Sequence, residues 1–178
     1  KTGTLTQNRM TLVKAYADGG EIADITDDND AVVKKLLVYG TLCSDGSVTV
    51  NENGEQQHIG DPTETSIVYA ALRNGYEKAD LNAKYRRVAE LPFDSDRKLM
   101  TTVNEMDGKY VVITKGACDI LFERCIKGDV EKARRMCEVA APAAGVAAED
   151  RLVASTGEIG QKLPEEGLQA TEGELKTA

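Results

Sequence analysis

The chain is short of most residues that carry chemistry on their own. It has no tryptophan, two phenylalanines and six tyrosines in 178 residues, so its core is expected to be largely aliphatic. There is one histidine, His58, and the four cysteines (Cys43, Cys118, Cys125 and Cys137) form no Cys-x-x-Cys pair. A zinc site of the usual kind is therefore not expected. Unpaired thiols with no secretory leader in view fit a reduced, cytosolic setting. No apolar run reaches the roughly 18 residues that a membrane helix needs. Direct membrane insertion by this chain is thus not expected, although a soluble part of a membrane protein is compatible with the sequence. Basic residues are also outnumbered: a net charge of -8 would repel a phosphate backbone, which argues against a nucleic-acid or anionic-membrane binder. One local basic pocket for a small phosphorylated ligand remains compatible with it.

With 41% hydrophobic and 29% charged residues, the chain has the composition of a folded domain. Met10 to Tyr16 reads as a strand running into the turn Asp18-Gly19-Gly20. Asp30 can cap a helix whose apolar face holds Val32, Val33, Leu36, Leu37 and Tyr39. Ser44 to Gly60 reads as loop, with a short strand at Ser47–Val50. Asp61 and Pro62 then open a second helix, with Ile67, Val68, Ala71 and Leu72 inward and a stop at Asn74-Gly75. After a charged link, Arg87 to Leu91 reads as extended. Leu99–Val103 and Tyr110–Thr114 read as strands joined through Glu105-Met106-Asp107-Gly108. Ala117–Cys125 reads as a last helix, with Ile120, Leu121 and the stem of Arg124 on one side. The order predicts an α+β fold, an antiparallel sheet flanked by helices. Past Gly128 the composition changes to Ala/Gly/Pro-rich and then Glu/Gly/Thr-rich, which places a boundary near residue 127.

Four segments in order carry a resemblance. Lys1-Thr2-Gly3-Thr4-Leu5-Thr6, Gly60-Asp61-Pro62-Thr63-Glu64, Pro92 to Met100 (PFDSDRKLM) and Lys115-Gly116-Ala117 are similar to the signatures of cation-transporting P-type ATPases of the calcium-pump-like branch. The resemblance implies the nucleotide-binding (N) domain of such a pump, at 13–127. Residues 1–12 would be a hinge and the remnant of a phosphorylation-domain motif, and 128–178 a C-terminal segment without assignment. It further implies ATP with Mg²⁺ as ligand, and the phosphorylation, actuator and transmembrane domains of the same pump as partners. The location implied is the cytoplasmic side of a bacterial plasma membrane. The phosphate-accepting aspartate would sit just before Lys1. Thr2 would contact the transferred phosphate only in the intact pump, so the chain alone would be inactive.

The implied ligand-binding residues are Glu64, Phe93, Lys98, Lys115 and Gly116, with Asp61, Ser95 and Arg97. Phe93 stands among polar residues and suits adenine stacking; the competing reading is a core residue plugging the sheet. Lys115 lines the adenine pocket by resemblance, where most lysines are solvated charges, and Gly116 would let the ligand approach the backbone. Lys98 and Arg97 supply charge near the triphosphate, or are merely solvated. Glu64 either hydrogen-bonds the adenine amino group or closes a capping box begun by Asp61. Ser95 departs from the pattern, since animal calcium pumps carry an arginine there. Beyond about Ile126 the resemblance stops, and Ala133 to Pro164 is instead faintly similar to the ornithine acetyltransferase/glutamate N-acetyltransferase family, without its nucleophile region. A non-catalytic interaction module that has lost nucleotide binding is the alternative function.

Overall fold

The computed structural model describes residues 10–17, 21–125 and the backbone of 152–155. The chain folds in the order β1 (Lys14–Ala15), β2 (Ala23–Asp24), α1 (Ala31–Leu42), β3 (Ser47–Val50), β4 (Gln56–Ile59), α2 (Pro62–Arg73), α3 (Lys78–Lys84), β5 (Arg87–Asp94), β6 (Leu99–Met106), β7 (Lys109–Ala117), α4 (Cys118–Arg124) and β8 (Leu152–Ser155). The strands form two antiparallel pairs, β1-β2 and β3-β4, and a four-stranded antiparallel sheet in the order β5-β6-β7-β8. This is the α+β arrangement expected from the sequence.

Local chemistry sets the helix ends. The Asp30 carboxylate accepts from the Val32 and Val33 amides, and the Asp61 carboxylate from those of Thr63 and Glu64, so both helices open on the caps expected of them. Pro62 needs no amide partner in the first turn of α2. At the other end of α2, Asn74 and Gly75 return the chain, with Gly75 at φ 84° and the Tyr76 amide on the Ala71 carbonyl. In the β6-β7 hairpin, Met106 pairs with Lys109 across Asp107-Gly108. Both turn residues have positive φ, as a two-residue turn matched to the strand twist requires.

Two clusters make the core. Leu37 and Val33 of α1 meet Ala70 and Ala71 of α2, and Leu12, Ala15 and Ile25 pack against them. On the other side, Val38, Tyr39, Leu42 and Cys43 meet Leu81 of α3 and the sheet residues Met100, Met106, Val111 and Ile113. Leu37 and Leu42 are 1% and 0% exposed, and burial of each contributes about 1.5–3 kcal/mol. The inward positions of β6 are Met100, Thr102, Asn104 and Met106, and those of β7 are Val111, Ile113 and Lys115. The strand period of two thus carries a lysine onto the core face.

Several local expectations need correction. Val32 is exposed rather than inward, because α1 turns Val33 and Leu37 to α2. The stretch 44–60 is a β3-β4 hairpin, and the charged link contains α3, anchored by the single buried residue Leu81. β5 runs on through Phe93 to Asp94, so Phe93 is a strand residue and not a loop residue. Residues 1–9 of the expected hinge 1–12, with Lys1 and Thr2, the expected turn 18–20, and the tail 126–151 and 156–178, with Cys137 and most of 133–164, lie outside the described residues.

Candidate functional site

Glu64 sits in the first turn of α2, yet its side chain turns away from its own helix. Its Oε2 accepts from the Asp45 amide at 2.8 Å and the Gly46 amide at 2.7 Å, while Oε1 takes the Lys115 ammonium. The carboxylate therefore does not close a capping box; the cap is made by Asp61 alone, whose Oδ1 reaches the Thr63 amide at 2.8 Å. Gly46 permits this approach, since a Cβ there would lie 3.0 Å from Thr65 Cγ2 and 3.3 Å from Glu64 Cβ.

Lys115 is 4% exposed and also reaches Ser44 Oγ at 3.3 Å. It lies inside β7, two residues before the strand ends, rather than at its tip. A buried ammonium requires a partner, and α2 supplies the carboxylate. Met100 is its neighbour across the β6-β7 ladder. Gly116 serves the packing of the sheet: a Cβ built on it would stand 2.3 Å from the Lys98 carbonyl oxygen and 2.5 Å from Leu99 Cδ2. The space opened by that glycine is filled by the β5-β6 turn and not by room for a ligand.

That turn holds Ser95, Arg97 and Lys98. Asp94 Oδ1 accepts from the amides of Asp96 and Arg97 at 2.9 and 2.8 Å, and these bonds, Arg97 first, hold its carboxyl below the usual aspartate range. Lys98 is exposed with φ 55°, its amide on the Asp94 carbonyl at 2.7 Å. Arg97 reaches the Pro92 carbonyl at 2.9 Å, and Ser95 is exposed. Between the paired residues Leu91–Thr101 and Asp94–Leu99, Pro92 and Phe93 stand opposite Met100 alone, a bulge in β5. Phe93 is 62% exposed there, so it is no core plug. Phe93, Lys98–Met100 and Lys115–Gly116 occupy the same end of three adjacent strands. Asp61 stands apart from them as a helix cap.

The structure adds residues that the sequence did not single out. The loop after α1 is held by Arg87, whose guanidinium donates to the carbonyls of Leu42 (2.8 Å) and Ser44 (3.0 Å) and to Asp45 Oδ1 (2.8 Å) and Glu90 Oε2 (2.7 Å). Lys78 donates to the carbonyls of Ser44 and Gly46, both at 2.7 Å. Burial, then the neighbouring Arg87 charge, pulls the Lys78 amine below the usual lysine range. Burial pushes the Cys43 thiol up. A signal existed in the sequence: α1 has no basic residue in its last turn, so its carbonyl end must be satisfied from elsewhere. An open groove of about 570 Å³ lies between β3, α2 and α3, lined by Ser47–Val50, Val68, Leu72 and Asn82 among others; Glu64, Phe93, Lys98 and Lys115 are not in it. Among the described residues, no helix is long and apolar enough to cross a membrane, and no three His, Cys, Asp or Glu side chains are grouped to hold a metal ion.

Residues 32–138 match the family model described as "P-type ATPase, cytoplasmic domain N". The chain belongs to this family. The N domain is 43% identical over 125 residues to the calcium-transporting ATPase 1 of Lactococcus lactis, an alignment covering 70% of this chain and 14% of the relative. It is 43% identical over 127 residues to the calcium-transporting ATPase 1 of Bacillus cereus, with the same coverage. Against a probable cation-transporting P-type ATPase of Mycoplasma pneumoniae it is 40% identical over 125 residues, covering 70% of the chain and 12% of the relative. The chain thus spans about a seventh of the length of the curated relatives it matches.

Proposed function

We propose that this N domain binds ATP at the common end of β5, β6 and β7 and serves a calcium-transporting pump. The observation that carries the reading is Phe93, a large aromatic ring left exposed by a strand bulge at the end of the sheet where Lys115 forms its buried ion pair. Adenine stacks on that ring, and Glu64 accepts from its amino group through the one lone pair on Oε1 that its present partners leave free. Lys115 borders the base, while Lys98 and Arg97 lie toward the phosphates; Ser95 adds no charge there. Mg²⁺ would arrive with the nucleotide, held by the phosphate oxygens.

In the whole pump, the domain's task is positioning. Phosphoryl transfer leaves little covalent chemistry for the protein, and most of the gain comes from alignment and charge neutralisation. The γ-phosphate is delivered to an aspartate immediately ahead of Lys1, on a phosphorylation domain working with actuator and transmembrane domains at the cytoplasmic face of a bacterial plasma membrane. The calcium assignment rests on the names of the relatives and on the GDPTE and PFDSDRK segments.

Titration with ATP, followed through the amide resonances of the chain, tests this. Saturable shifts around Phe93 and Lys115 are expected, and Phe93→Ala should weaken binding about 5- to 150-fold, the worth of one stacked base. One observation favours the second reading, an interaction module without nucleotide binding: the Lys115 ammonium is already taken up by Glu64 and Ser44. The absence of any saturable shift would decide for that module.

A further inference from the structure

The loop from Leu42 to Gly46 contributes no side chain to the proposed base contacts, yet three other elements hold its backbone. Arg87 of β5 takes the carbonyls of Leu42 and Ser44, and Lys78 of α3 takes those of Ser44 and Gly46. With its carbonyls drawn to one side, the loop presents the Asp45 and Gly46 amides to Glu64 Oε2 on α2. Those two bonds, with Lys115 on Oε1, fix the plane of the Glu64 carboxylate and so the direction of its one remaining lone pair, on Oε1. An arginine kept for solubility would be hydrated. This one is only 22% exposed at its side chain, and its planar fork is spread over four acceptors. Arg87 also lies on the strand that carries Phe93, six residues before it. The stacking surface and the clamp that orients the hydrogen-bonding carboxylate therefore share one backbone.

We infer that Arg87 is a positioning residue that sets base specificity: by fixing the 42–46 loop it aims Glu64 at an exocyclic amino group, so that the site prefers adenine nucleotides to those of hypoxanthine. This rests on the reading of Phe93 and Glu64 given above. Hypoxanthine differs from adenine at that position by a carbonyl, which offers an acceptor to an acceptor. A site whose hydrogen-bonding group is held in place rejects such a mismatch; one whose group can swing away does not.

The test measures the Kd of the 178-residue chain for ATP and for ITP by calorimetry. The unaltered chain should bind ATP about 10- to 150-fold more tightly than ITP, the range for a hydrogen bond to a charged group. In Arg87→Gln the ATP affinity should fall about tenfold with little change for ITP, so the ratio moves toward one, while Arg87→Lys keeps part of it. Phe93→Ala should weaken both nucleotides and keep the ratio. A merely structural role for Arg87 would lower the melting temperature and weaken both nucleotides alike. An Arg87→Gln chain with the unaltered ratio overturns the inference and leaves the site reading standing. If the unaltered chain binds both nucleotides equally, the role of Glu64 and this inference fall together; if it binds neither, the whole site reading falls. Should Arg87→Gln not fold, as judged from its amide spectrum, Lys78→Met removes the other half of the clamp and is read by the same ratios.

Discussion

Removing the Glu64 charge should be far more damaging than removing any other acidic partner in the described structure. In Glu64→Gln the Lys115 ammonium stays buried with Ser44 Oγ at 3.3 Å and an amide in place of its counterion. The side chains of this pair are 5% and 14% exposed, whereas every other ion pair among the described residues has a partner exposed by 43% or more. Burial therefore decides which magnitude applies. Exposed pairs contribute about 0–1 kcal/mol, while breaking a buried one by removing a single partner costs about 3–5 kcal/mol. At about 2–4 °C per kcal/mol for a chain of 178 residues, Glu64→Gln should lower the melting temperature by roughly 6–20 °C. Lys115→Met should cost less, about 1–3 kcal/mol, because Glu64 keeps two amide donors and the methionine can pack beside Met100. The double variant should be more stable than the sum predicts, with a coupling of about 1–3 kcal/mol. Urea unfolding at pH 7, followed by far-ultraviolet circular dichroism and tyrosine fluorescence, measures all four corners of the cycle. A loss below about 1 kcal/mol for Glu64→Gln would refute the reasoning; so would single effects that simply add.

Gly116→Ala should destabilise the sheet by about 1–3 kcal/mol, as overpacking does, because the added methyl would stand 2.3 Å from the Lys98 carbonyl; an unchanged urea midpoint would show that the β5-β6 turn yields freely. The Asp94 carboxyl, held down first by the Arg97 amide, should titrate below 3.8 when followed through its carboxyl carbon resonance. A depressed carboxyl contributes stability that is complete above its unfolded value and lost as pH falls through the folded one. The amide shifts of Asp96 and Arg97 should therefore move together in that acidic window, and a midpoint at or above 3.8 would count against the turn geometry.

The sequence was most legible where short-range chemistry decides the outcome. The caps at Asp30 and Asp61, the stop at Asn74-Gly75 and the Asp107-Gly108 turn are each set by residues within a few positions. It was least legible where one long-range contact does the work. Helix α3 buries only Leu81, so it has no periodicity to read, and β4 is the polar stretch Gln56–Ile59, visible only beside β3. Glu64 misled because its spacing from Asp61 suits a capping box; its true partners come from 18, 19 and 51 residues away in sequence. The burial of Lys115 was legible in principle. Val111 and Ile113 set a period of two, and continuing it by one step puts the lysine on the core face. Lys78 looked like an ordinary charge in a link and Arg87 like the first residue of an extended segment, because the carbonyls they satisfy belong to a loop more than 30 positions earlier.

The bulge at Pro92-Phe93 has a consequence for how the chain behaves in a crowd. Among the described strands, β5 is one edge of the four-stranded sheet, and an edge with unpaired amides and an exposed aromatic ring invites another chain to add itself. Pro92 has no amide hydrogen to offer, and the interrupted register denies an incoming strand a continuous ladder. A proline followed by a lifted ring thus leaves an apolar surface standing at the edge while denying a second copy of the chain a ladder to extend.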